Sequence, residues 1–167
     1  MFYRKSRELT HIQRAWAYVR TARLLNDSEH ERALYFLLQA TDEARRIDAG
    51  DPDWAFALIA IASEFVIVDH SRAWDLLGEA VKAANSTEQF VGDDIKSPKW
   101  SMVATRRFTR FIRLPAEDFS LSHLLSSLAQ DELERSVDLA KTFKYDATRA
   151  NATLAIARAI LEKPATK

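Results

Sequence analysis

The chain has 167 residues with 24 basic and 24 acidic side chains, so its formal net charge is zero. That length suits one domain with one continuous core, and the charge balance gives no whole-molecule attraction to nucleic acid or an anionic membrane. No cysteine is present, which excludes disulfides, thiolate metal sites, iron–sulfur clusters and a cysteine nucleophile, and three glycines (Gly50, Gly78, Gly92) are too few for a phosphate-cradling loop.

Helical signals follow one another along the chain. The basic start, Met1 to Arg7, has no apolar stretch behind it and does not read as a secretory signal. Thr10 to Gln13 has capping-box spacing and predicts a helix to about Leu25, with Ala15, Val19 and Ala22 on one face. Ser28 to Glu31 has the same spacing and predicts a second helix over about 29–47. Asp51 caps a third helix, with Pro52 at its first position, where a missing N–H costs nothing. This helix runs to about Val68 and is apolar on every side. It holds Glu64 and is too short to cross a bilayer, so it reads as a buried core helix. A turn at 69–71 and a helix over 72–85 follow, then a loop over 86–98. A helix is predicted over 98–114, with Trp100, Ala104, Phe108, Phe111 and Leu114 on one arc and Lys99, Arg106, Arg110 and Arg113 on the other. A strand reading there fails strict alternation, since Phe108 and Phe111 would point to opposite faces, though the segment's threonine and aromatic content dilutes the helical signal. Three short helices near 120–129, 131–142 and 147–162 close the chain, with Asp131 to Glu134 at capping-box-like spacing and Asp146 as a further candidate cap.

An internal repeat organises these elements. Residues 15–44 match 55–84 at a constant offset of 40 without a gap. The pairs Ala15/Ala55, Ala17/Ala57, Ala22/Ala62, His30/His70, Arg32/Arg72, Ala33/Ala73, Leu37/Leu77, Ala40/Ala80 and Ala44/Ala84 are identical. The string Arg14-Ala15-x-Ala17-x-Val19-x-x-Ala22-Arg23 returns as Arg149-Ala150-x-Ala152-x-Leu154-x-x-Ala157-Arg158. One two-helix unit cannot bury its apolar face alone, so such units stack, and the alanines let helix backbones approach closely. The expected fold is all-α, a short right-handed stack of antiparallel helical hairpins. It forms one domain, 1–167, with units at about 11–48 and 52–85, a loop and basic insertion at 86–118, and C-terminal helices at 119–163. The first helix, with Arg14, Arg20 and Arg23, should be the more exposed end element.

The Ala33-Leu37-Ala40 and Ala73-Leu77-Ala80 triplets resemble the second helix of tetratricopeptide repeats, while the 40-residue period is nearer that of HEAT-like repeats. The resemblance covers about 15–85. The Trp-Leu-Gly-Tyr pattern of the tetratricopeptide first helix is absent. The resemblance implies an α-helical repeat protein, of a bacterial family, acting as a scaffold for protein–protein interaction.

Candidate chemistry is sparse. His30 and His70 precede helices at equivalent positions, one repeat apart, too far to share a metal; they read as turn and capping residues. His11 and His123 lack a partner at metal-ligand spacing. Asp42, Glu43, Glu64, Glu79 and Glu132 lack the Glu-x-x-His motifs of a di-metal bundle. Glu64 is the one odd charge on the greasy helix, and Arg23 or Arg20 is its expected partner. Asp93-Asp94 lacks the ligand spacing of a calcium loop. No catalytic, cofactor or metal residue is therefore expected, nor an enzyme.

One feature rises above this background. Ile95 to Leu114 carries six basic residues and no acid. Lys96, Lys99, Trp100, Arg106, Arg107, Arg110 and Arg113 form the candidate interaction surface, suited to an acidic protein partner, with nucleic acid or an anionic surface as alternatives. The plainer reading, which the sequence favours, is a helix whose aromatic side packs on the bundle while its arginines stay solvated or pair with the acidic 27–53 region, which holds eight acids and three bases. The expected function is a non-catalytic, cytoplasmic interaction module. The competing class is a helical ligand-binding or enzyme-associated domain with a pocket between the repeats and the C-terminal helices.

Overall fold

The structure is a computed structural model that describes residues 9–92, 100–104, 109–113 and 119–162, the two short stretches by backbone alone. The fold is all-α. Its helices are α1 (His11–Leu25), α2 (His30–Ala44), α3 (Pro52–Val68), α4 (His70–Asn85), α5 (Leu121–Asp131), α6 (Leu133–Lys141) and α7 (Asp146–Leu161). No described helix is long and apolar enough to cross a membrane.

Local chemistry sets several boundaries. Thr10 and Gln13 form both halves of the capping box of α1. Asp51 accepts from Asp53 N at 2.8 Å, with Pro52 leading α3. Asp69 both ends α3 and caps α4 by accepting from Arg72 N. The turn between α2 and α3 needs Gly50, whose φ of 97° is left-handed. Three expected caps do not form. Glu29, not Ser28, precedes α2, and Glu132, not Asp131, precedes α6; neither makes a side-chain cap bond. Asp146 is the first residue of α7, and Tyr145 precedes it without a side-chain cap bond.

The offset of 40 is a structural repeat. α1 packs on α2, α3 packs on α4, and α3 also contacts α1, α2 and α5. The repeated residues Ala15/Ala55, Ala22/Ala62, Ala33/Ala73, Leu37/Leu77, Ala40/Ala80 and Ala44/Ala84 are all buried. α3 lies between neighbours and buries ten residues around its circumference, whereas α1, at the end, buries four. Amide hydrogen exchange should accordingly be slowest in α3; faster exchange over 54–68 than over 11–25 would contradict this packing.

The C-terminal helices form a third layer, with α5 packed on α7, α6 and α3. Phe90 is buried against Phe56, with ring centroids 4.8 Å apart. Thr148 Oγ1 donates to Phe90 O at 2.8 Å, and Asn151 Nδ2 donates to Val91 O at 2.7 Å. Leu121 N donates to Gly92 O at 3.3 Å, which ties the start of α5 to the residues that follow α4.

Two expectations need correction. The segment expected as a helix over 98–114 is an antiparallel hairpin of β1 (Trp100–Ala104) and β2 (Thr109–Arg113), with Trp100 opposite Arg113 and Val103 opposite Arg110. Alternation fails over the whole segment because it holds two separate five-residue strands that run antiparallel, each with its own phase. Valine, threonine, phenylalanine and isoleucine also favour the extended form. The second correction concerns the C-terminal copy of the α1 string. Ala150, Leu154 and Ala157 are exposed, and α7 instead buries Thr148, Ala152, Ala155, Ile156 and Ala159.

Candidate functional site

The expected interaction residues are only partly within the described structure. Lys96, Lys99, Arg106 and Arg107 lie outside the described residues, as do Asp93 and Asp94; Trp100, Arg110 and Arg113 are placed by strand register alone. Whether the arginines pair with acids in 27–53 therefore also falls outside them. Within 27–53, Glu43 and Arg45 have partners on other helices.

Glu43, on α2, is a hub reached by α1. His11 Nδ1 lies 2.7 Å from its Oε2, Arg14 Nε donates to the same oxygen at 2.7 Å, and Arg46 Nη1 donates to Oε1 at 3.3 Å. Arg14 Nη2 also lies 2.8 Å from His11 Nδ1, and a single ring proton cannot satisfy both contacts. Burial pushes the Glu43 carboxyl up, but the His11 and Arg14 hydrogen bonds and the Arg14 and Arg46 charges outweigh it, holding the group below its ordinary value.

Glu132 ties the repeats to the C-terminal layer. Its Oε1 lies 2.6 Å from His70 Nε2 and accepts from Trp74 Nε1 at 2.8 Å, while Oε2 accepts from Arg135 at 3.1 Å. Arg135 also stacks 4.2 Å from the centre of the Trp74 ring. The Arg135 and His70 hydrogen bonds lead in lowering the Glu132 carboxyl. His70 is thus the first residue of α4 and a carboxylate partner, with Asp69 as the cap. His30 begins α2 and is exposed, as is His123 on α5.

Both lowered carboxylates act in one direction. A group whose folded pKa lies below its unfolded value adds stability that is complete above that value and lost as pH falls through the folded one. The melting temperature should therefore fall as pH drops through the ordinary glutamate range, about 4.3 in an unstructured chain. Glu43→Gln should flatten that fall; an unchanged acid limb in thermal melts would contradict the hub.

Glu64, 7% exposed on α3, is paired with Arg23 of α1, as expected; Arg23 Nε donates to Oε1 at 2.7 Å and Nη2 closes on the same oxygen. The pair lines a cleft of about 420 Å³ between α1, α3 and α5, together with Ser63, Ile67, His123 and Ser127. Ser63 donates to Ile59 O and Glu64 is held by Arg23, so neither is set up as a nucleophile or a base. Among the described residues no group of three or more histidine, aspartate or glutamate side chains could hold a metal ion.

A second depression, of about 280 Å³, has a different character. It runs between α2 and α4, the second helices of the two repeats, which stand apart across α3. Phe65 and Leu76 are its buried apolar floor, and Leu38 is a 40% exposed wall. Arg45, Arg72, Asp75 and Glu79 form a charged rim, and Arg45 spans the groove to Glu79 at 2.7 Å. Tyr35, one turn before Leu38, is also exposed. Sequence reasoning did not single out this groove. The exposed Leu38 on an otherwise well-patterned helix was its available signal.

Comparison with protein families, with curated proteins and with solved structures found no match.

Proposed function

We propose that this protein is a non-catalytic interaction module of the helical-repeat class, akin to tetratricopeptide and HEAT-like proteins of a bacterial family. It works in the cytoplasm, and the groove between α2 and α4 receives a segment of a protein partner. The observation that carries this reading is the groove itself, whose apolar floor of Phe65 and Leu76 opens past a half-exposed Leu38 and lies inside a rim of both charge signs. That arrangement suits a partner segment with one large apolar side chain flanked by charged residues. The engaged states of Glu64 and Ser63 favour binding over catalysis.

The basic segment supports a second contact. Six positive charges without an acid make a local field over a chain of zero net charge. With a Debye length of about 8 Å, it acts on an acidic partner docked beside it. One capture experiment from the native host separates the two. Leu38→Glu should abolish recovery of a groove partner, and reversal of Arg106, Arg110 and Arg113 to glutamate should weaken an electrostatic one and its salt dependence. Neither variant should change the melting temperature. Loss of stability with unchanged capture would refute the corresponding contact.

A further inference from the structure

The first and last helices carry one string of residues with opposite burial. In α1, Ala15, Val19 and Ala22 are buried in a helix that packs on α2 and α3. The arginines at the ends of the string close on those same helices, Arg14 on Glu43 and Arg23 on Glu64. In α7 the equivalent Ala150, Leu154 and Ala157 face outward. At about 100° per residue, Ala147, Ala150, Leu154, Ala157 and Leu161 fall within one arc of roughly 80°. That arc lies across the helix from the buried Thr148, Ala152, Ala155, Ile156 and Ala159. Leu154 is 53% and Leu161 85% exposed. A helix with one core-facing side ordinarily turns a polar face to water. α7 is apolar on both, and no described element covers its outer face.

We propose that α7 pairs antiparallel with α7 of a second copy of this chain. The outer residues recur at intervals of three and four, the spacing of a coiled-coil seam. Leucine follows Ala147 at one seam position, at 154 and 161, and alanine holds the other, at 150 and 157. Such a seam complements itself only in the antiparallel sense. Related by a two-fold axis, Leu154 meets Ala157 of the second copy and Ala150 meets its Leu161, so every large side chain faces a small one. A parallel pair would set leucine on leucine and alanine on alanine, leaving gaps. The antiparallel register places Arg158 beside Asn151 of the second copy, so no like charges oppose each other. The other end of the stack does not offer a matching surface. The outer arc of α1 carries Gln13 and Arg20 beside Ala17 and Leu24, which disfavours head-to-tail stacking and favours a closed dimer. This proposal rests on the fold alone and is independent of the partner groove.

Sedimentation equilibrium over a dilution series tests it. The wild-type mass should rise with concentration from 19.1 kDa towards twice that value. Leu154→Glu should remain monomeric throughout with unchanged circular dichroism and melting temperature, since the side chain faces outward. Leu161→Glu, at the helix end, should do the same and serves if the first variant is perturbed. Leu24→Glu alters the 83% exposed leucine of α1 and should dimerise like the wild type. A wild type that stays monomeric at every concentration overturns the proposal. So does a dimer insensitive to both α7 variants, or one dissolved by Leu24→Glu.

Discussion

Leucine at position 62 should lower stability by about 1–3 kcal/mol, because three extra carbons must enter a filled interior. Ala62 is fully buried on α3, the helix that touches α1, α2, α4 and α5 together, so no neighbour can retreat without disturbing another. In a protein of this size each kcal/mol moves the melting temperature by about 2–4 °C. The repeat supplies an internal control. Ala17 and Ala57 are equivalent and identical, yet Ala57 is buried in the middle of the stack and Ala17 is exposed at its end. Ala57→Leu should therefore behave like Ala62→Leu, whereas Ala17→Leu should stay within about 0.5 kcal/mol. Equal losses at 17 and 57, or an unshifted melt for Ala62→Leu, would contradict the stacking order.

The Ala17/Ala57 pair also marks what was legible in the sequence. Helix starts at Thr10 and Asp51 could be read because a cap is local, its acceptor and donor lying two or three residues apart. Burial of Ala15, Ala22, Ala33 and Leu37 could be read because their recurrence at 55, 62, 73 and 77 reports a shared packing need. The exposure of Ala17 depends on its place in the stack, which only the pattern of neighbouring arginines hinted at. Repetition of the same string misled in α7, where composition was copied but the helix turned its other side to the core.

Long-range chemistry was the least legible. His11 and Glu43 are 32 residues apart, and His70 and Glu132 are 62 apart, so neither pair has a spacing to recognise. The groove is hidden for the same reason: Leu38 and Leu76 become its walls and floor only when α2 and α4 stand on either side of α3. The hairpin at 100–113 was lost to a period read over too long a window, since each strand is only five residues long. Glu64 was the exception. The one acid within the apolar run 54–68 must find a base, and the arginines of the preceding helix were the nearest supply.

That ion pair makes the last prediction. Arg23→Ala should destabilise the protein by about 2 kcal/mol. This is less than the ~3–5 kcal/mol of a fully buried broken pair, because the Arg23 side chain is 39% exposed and water can reach the vacated side. The loss arises from leaving a carboxylate, 7% exposed, without its guanidinium. Glu64→Leu in the Arg23→Ala background should recover most of the loss, since an apolar side chain of similar size suits a helix whose other buried residues are all hydrophobic. Denaturant melts of the single and double variants measure both effects. If the double variant is no more stable than Arg23→Ala, the cost lies in the lost packing of the arginine stem over α3 rather than in the stranded charge.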